Sequence, residues 1–224
     1  MSGERIVGIV LAGGGSRRFG GPKLAAPLDG RPLLDHAVEA MGAVAGHVIV
    51  VVAPDAVSPP LPAGVAGRAT VARDEVGDAG PLAGLAAGLA AITGPGPTVV
   101  LVAGGDMPTL HPGVLGLLAT SLASDPAIVA LTLEDTEGAP LPMAVRPAVL
   151  PTARALLAGE RRSLRALLEA VPHGTLPAAA WRALDPDGRT LRDVDTPADL
   201  GRAATTPSAD AKTPVPGRKD GRLA

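Results

Sequence analysis

Several runs of this chain are apolar at almost every position: Ile6 to Leu11, His47 to Ala53, Thr98 to Val102 and Ile128 to Leu133. A strand with one face in water alternates apolar and polar residues, so an unbroken apolar run marks a strand covered on both faces. Between these runs the apolar period changes. Leu34, Ala37, Val38 and Met41 recur at helical spacing, which predicts an amphipathic helix over Pro32 to Gly42 with Pro near its start. Pro81 to Ile92 reads as a helix of small residues. Val114, Leu115, Leu117, Leu118 and Leu122 mark another helix after His111-Pro112. Ala69 to Ala72 and Leu141 to Val145 read as shorter strands, and further helices are expected near Leu150 to Leu157 and Leu164 to Val171. This alternation predicts an α/β chain with a mostly parallel central sheet and helices on both faces. Ligands bind such sheets at the carboxyl ends of the strands.

At 224 residues the chain is long enough for one α/β domain with a substantial core. It contains one Phe, one Trp and no Tyr, so the core must be packed from Ala, Val and Leu. The formal net charge of −2 gives no general affinity for nucleic acid or anionic membranes. The absence of cysteine excludes disulfides, thiolate metal sites and a cysteine nucleophile. That usage is compatible with the cytoplasm, where the protein is expected. Glu4 and Arg5 precede the first apolar run, and no cleavable signal pattern is present. Ala79 to Gly105 is uncharged, but Gly94-Pro95-Gly96-Pro97 divides it into halves too short to span a bilayer. The reading is one domain over residues 1–203 and a disordered tail over 204–224, rich in Ala, Pro, Thr, Lys and Arg without periodicity.

The first strand runs into Leu11-Ala12-Gly13-Gly14-Gly15-Ser16-Arg17-Arg18-Phe19-Gly20-Gly21-Pro22-Lys23. Consecutive glycines let the backbone turn tightly and approach a ligand. Successive N–H groups in such a turn form an anion-binding concavity. Arg17, Arg18 and Lys23 add positive charge with no acid among them, so the segment suggests a polyphosphate site. It is not a Walker A loop, because Lys23 follows Pro22 and precedes Leu24. It is not a dinucleotide fingerprint either, because Arg18 stands where the third glycine belongs.

A second chemical candidate closes the strand at Val99 to Val102. That run passes through Ala103-Gly104-Gly105 to Asp106, followed by Met107-Pro108. Mg²⁺ takes oxygen ligands, commonly one or two carboxylates plus substrate phosphates. Asp106 is the first choice for that role, against the plainer one of starting a turn or capping the helix near His111.

The glycine segment resembles L-A-G-G-x-S-x-R-M-G-x-x-K, the loop of nucleotidyltransferases that move a nucleoside monophosphate from an NTP, with Phe19 in place of Met. Gly105-Asp106-Met107-Pro108 and Gly80-Pro81-Leu82-Ala83-Gly84 sharpen the resemblance to the molybdenum cofactor guanylyltransferases. Asp74, Pro140 to Met143, Gly159 to Arg165 and Asp193 to Leu200 also look like landmarks of that family. The resemblance implies a single-domain, Rossmann-like three-layer nucleotidyltransferase fold. It implies GTP, Mg²⁺ and molybdopterin cofactor as reactants and ion, with pyrophosphate released. It implies catalytic roles for Lys23, Arg18 and Asp106. Nucleotide binding would fall to Leu11, Ala12, Gly13, Gly14, Gly15, Ser16, Lys23, Asp74, Gly80, Pro81, Leu82 and Asp106. Asp106 would be the metal ligand, with Asp193 a second candidate. Transient contact with other proteins of the same cofactor pathway follows by analogy.

Two departures from the family pattern stand out: Pro22 replaces the Asp that many members carry before the lysine, and Val52-Ala53-Pro54 supplies no Asn after the second strand. Transfer from CTP, another phosphorylated acceptor and a non-catalytic nucleotide-binding module therefore stay open. Plainer readings stand beside several of these residues. Gly84 fits simple helix packing, and Asp74 a solvated loop. Asp195 or Thr196 would cap a helix with Pro197 at its first position, and Ser163 would cap the helix at Leu164. His36, His47, His111 and His173 show no metal spacing. Arg161, Arg162 and Arg165 form a basic cluster on a solvated face or against an anionic substrate.

Overall fold

The computed structural model describes residues 5–13, 19, 22–75, 80–93, 96, 98–135 and 138–204. Five parallel-running strands frame the chain: β1 (Ile6–Leu11), β4 (His47–Val52), β5 (Ala69–Arg73), β6 (Val99–Gly104) and β7 (Ala130–Leu133). With β8 (Met143–Val145) and β9 (His173–Leu176) they form one seven-stranded sheet in the order β5-β4-β1-β6-β8-β7-β9. All neighbours pair in parallel except β8, which runs antiparallel to both β6 and β7. A separate two-stranded ribbon joins β2 (Pro27–Leu28) to β3 (Arg31–Pro32).

The register brings the functional strand ends to one edge. Leu11 lies opposite Val51 on one side and Gly104 on the other, and Val52 lies opposite Arg73. The segments that leave β1, β4, β5 and β6 therefore emerge side by side. This is the edge at which a parallel sheet presents ligand-binding loops.

Alternate strand residues feed two cores. On one face Val10, Val48, Val50, Leu101 and Ala103 pack with α1 (Leu33–Gly42), α3 (Pro112–Ser124) and Trp181 of α6 (Ala178–Trp181). On the other face Ile9, Ile49, Val51, Val100 and Val102 pack with α2 (Pro81–Ala90), α4 (Leu150–Ala158) and α5 (Leu164–Ala170). With so few aromatic residues, close approach replaces bulk. A Cβ on Gly8 would sit 2.2 Å from Met41 Cγ, and one on Gly88 would sit 2.8 Å from Ile9 Cδ1. Both glycines let a helix settle directly onto β1.

Three features differ from the sequence expectation. The β2–β3 ribbon turns at Asp29 and Gly30, with φ of 50° and 78°, a two-residue Asp-Gly hairpin. β9 forms at the sheet edge from His-Gly-Thr-Leu, of which only Leu176 is buried. A final helix, α7 (Pro197–Ala204), takes in Ala204, which the sequence reading assigned to the tail. The rest of that tail, 205–224, lies outside the described residues. Among the described residues no helix is long and apolar enough to cross a membrane.

Candidate functional site

Lys23 opens a short 3-10 turn, Lys23–Ala25, at the end of the glycine-rich segment. Its side chain is only 11% exposed, and its ammonium donates to Asp106 Oδ2 and to Asp195 Oδ1, both at 2.9 Å. Burial opposes the charge of Lys23. The hydrogen bonds and negative charges of Asp195 and Asp106 outweigh that effect, and the pKa rises above the ordinary lysine value.

Asp106 follows directly from β6. Gly105 N–H donates to the Leu11 carbonyl at 2.9 Å, tying the strand end of β6 to that of β1. A Cβ on Gly104 would lie 2.4 Å from Asp106 Oδ1, so the glycine leaves the space this carboxylate occupies. Val194 N–H donates to the Asp106 carbonyl at 2.9 Å, and Val194 is buried against Leu28 and Leu33. The C-terminal segment is thereby strapped across the mouth of β6.

Asp193 precedes that strap. Burial first, then the charges of Asp195 and Asp106, push its carboxyl above the usual range. Three carboxylates thus act on one another around one ammonium. Among the described residues no three Asp, Glu, His or Cys groups converge into a metal cage. A hard, oxygen-only, negatively charged set of this kind fits Mg²⁺, which completes its shell with substrate phosphates and water.

The structure sorts the remaining predicted residues. Leu11, Ala12 and Gly13 lie at the β1 end, where Ala12 N–H donates to the Val51 carbonyl at 2.7 Å. Gly14, Gly15, Ser16 and Arg18 lie outside the described residues. Asp74 follows β5, with its N–H on the Val52 carbonyl at 2.9 Å. It lines a cavity of about 410 Å³ with Ala83 and Ala86 of α2 and with Arg154 and Arg162.

Gly80 and Pro81 begin α2, but the free N–H groups expected there are in use. Leu82 N–H donates to the Arg162 carbonyl at 3.2 Å and Ala83 N–H to the Gly80 carbonyl at 3.2 Å. The Leu82 side chain is fully buried. Gly84 packs against Leu11 and Val51, in line with its plainer reading.

Sequence reasoning missed two contributors. The sequence offers Asp195 or Thr196 as a helix cap, and in the structure Asp195 binds Lys23. The capping falls to Thr196 and Asp199, which exchange hydrogen bonds in a capping box. No motif in the sequence marks Arg73. Its guanidinium donates to the carbonyls of Pro54 and Ala56 at 3.0 and 2.7 Å and to Ser58 Oγ at 3.1 Å. It thereby fixes the proline-rich wall of an apolar cleft of about 490 Å³ beside Ala12 and Leu24.

A sheet of this order, with a buried lysine held against a strand-end carboxylate, places the chain among the α/β nucleotidyltransferases. The MobA-like NTP transferase domain matches residues 8–175, and the chain belongs to that family. A protein of Chloroflexus aggregans named "Probable molybdenum cofactor guanylyltransferase" is 33% identical over 198 residues, spanning 86% of this chain and 90% of that protein. A Mycobacterium avium protein of the same name is also 33% identical over 198 residues, spanning 88% and 93%. The fold matches the crystal structure of molybdopterin-guanine dinucleotide biosynthesis protein A from Archaeoglobus fulgidus with a TM-score of 0.72. That match has 23% identity and covers 89% of this chain and 96% of the other.

Proposed function

We propose that this protein transfers GMP from GTP to the phosphate of molybdopterin, releasing pyrophosphate and forming molybdopterin guanine dinucleotide. The observation that carries the reading is the Lys23–Asp106 pair, whose Nζ and Oδ2 lie 2.9 Å apart just beyond the end of β6. It is supported by relatives a third identical whose names state guanylyl transfer. The reaction takes place in the cytoplasm, within one domain that runs through α7. Transient contact with other proteins of the pathway would deliver the acceptor and receive the product.

Asp106, with Asp193 beside it, would hold Mg²⁺, and a bound Mg²⁺ would neutralise charge on the phosphate oxygens. The chain's own groups do the positioning. Backbone N–H groups of the glycine-rich segment that begins at Gly13 would cradle the triphosphate. Lys23, with Arg18, stabilises negative charge growing towards the pyrophosphate as the acceptor phosphate oxygen attacks the α-phosphorus in line. No protein nucleophile is required, because positioning and electrostatic stabilisation supply the rate.

The test is pyrophosphate release from each NTP with Mg²⁺ and molybdopterin. Release with GTP alone supports the proposal. Lys23→Ala and Asp106→Ala should each lose at least about 10²-fold in rate while keeping a native circular dichroism spectrum. Release with CTP alone keeps the chemistry and changes the product, an outcome that Ala53 and Pro54 at the position of the family asparagine would explain. Nucleotide binding without release from any NTP refutes transfer to molybdopterin and points to another acceptor or to a non-catalytic nucleotide-binding module.

A further inference from the structure

We propose that Asp195 is a positioning residue for Lys23, anchoring its ammonium from the C-terminal segment so that Asp106 can turn to the nucleotide without releasing the lysine. The proposal rests on the roles given to Lys23 and Asp106 above.

Lysine carries its charge on a flexible four-carbon stem, so its direction must be imposed from outside. Its ammonium has three donors, and here two of them reach carboxylates on either side, Asp106 Oδ2 and Asp195 Oδ1, each at 2.9 Å. The two acceptors are not equivalent. Asp106 sits at the strand mouth, where ligands enter such a sheet. Lys23 engages only Oδ2 of this carboxylate, and a rotation of the group towards substrate weakens that bond. Asp195 is the acceptor that persists.

Its own position is fixed independently of Lys23. On one side Val194 is buried and bonded through its N–H to the Asp106 carbonyl. On the other, the N–H groups of Asp195 and Thr196 both donate to Asp199 Oδ2, at 3.2 and 2.7 Å. Because Thr196 and Asp199 take over the capping of α7, the Asp195 carboxylate is left to face Lys23, 172 residues away in sequence. A displaced charge costs rate steeply, since a misplacement of about 1 Å can remove about 10²-fold.

The experiment compares Asp195→Ala, Asp195→Asn, Lys23→Ala and the Lys23→Ala/Asp195→Ala double variant of the full chain. The Asp195 side chain is 46% exposed, so its truncation leaves no core cavity. Asp195→Ala should lower kcat about 10- to 100-fold with little change in the KM for GTP. Asp195→Asn keeps an Oδ1 acceptor and should recover most of that loss. In the Lys23→Ala background, Asp195→Ala should cost nothing further.

A second readout needs no nucleotide or metal. The chain's three lysines are Lys23, Lys212 and Lys219. Acetic anhydride labelling of Lys23 relative to the other two, read by mass spectrometry, should rise several-fold in Asp195→Ala. Unchanged labelling overturns the proposal, as does an additive double variant or a raised Mg²⁺ requirement in Asp195→Ala. Normal turnover of Lys23→Ala would instead refute the catalytic role of Lys23, and the labelling would still decide whether Asp195 holds it.

Discussion

Gly80 shows how far one missing Cβ can set local geometry. Its φ of 80° and ψ of 175° lie in a region essentially reserved for glycine. A Cβ there would approach the Arg162 carbonyl oxygen to 2.7 Å. That same oxygen accepts the Leu82 N–H, so Gly80→Ala strains the backbone and displaces the loop that ties down the start of α2. The expected loss is about 1–3 kcal/mol, measured by urea denaturation. An unchanged midpoint would mean that the loop yields freely. Single residues also show what a sequence can reveal about a site. Lys23 and Asp106 were legible because each ends a segment whose apolar strand and glycines fix its place at a sheet edge. Asp195 was not, because Asp-Thr-Pro is a common helix start and its real partner is far away in the chain. Which of two adjacent polar residues caps a helix and which reaches across the molecule is a tertiary choice, invisible to spacing.

Elements followed the same division. β1, β4 and β6 are apolar at almost every position and buried along most of their length, so their hydrophobic runs mark them nearly to the residue. β9 lies at the edge with three of its four residues partly or fully exposed, and no apolar run announces it. The β2–β3 ribbon did carry a signal, Asp29-Gly30, but its strands are two residues each and too short for any periodicity. α7 depends on its start. Thr196 Oγ1 accepts the Asp199 N–H, and Asp199 Oδ2 accepts the Thr196 N–H in return. Thr196→Ala should therefore cost about 1 kcal/mol. Differential scanning calorimetry should record the lowered melting temperature, and an unaltered melt would show that α7 is held by Leu200 and Ala203 packing alone. Asp199 is held down to about pH 2, chiefly by hydrogen bonds from Thr196 and then by Arg202. Its contribution is present above the ordinary carboxylate range and is lost only as pH falls through that value, so mild acid leaves the cap intact.

For the whole molecule, the cluster where Lys23 and Asp106 meet the Asp193–Asp195 segment trades stability for charge. Asp193 is pushed above the ordinary aspartate value of 3.8 by burial and by Asp195 and Asp106. The folded protein therefore holds that proton more tightly than the unfolded chain does. Below the ordinary value the group is protonated in both states and costs nothing. As pH rises from there through the raised folded value, the unfolded chain ionises more readily and stability falls. Asp193→Asn removes this titration. The variant should match the wild type in urea denaturation at about pH 3 and exceed it at about pH 7. If Asp193 also serves the metal beside Asp106, the more stable variant will turn over more slowly, the cost expected when a charged site is relieved of its strain. An equal difference at both pH values would mean that the amide acts through packing. A less stable variant at neutral pH would mean that Lys23 already compensates the Asp193 charge in the folded protein.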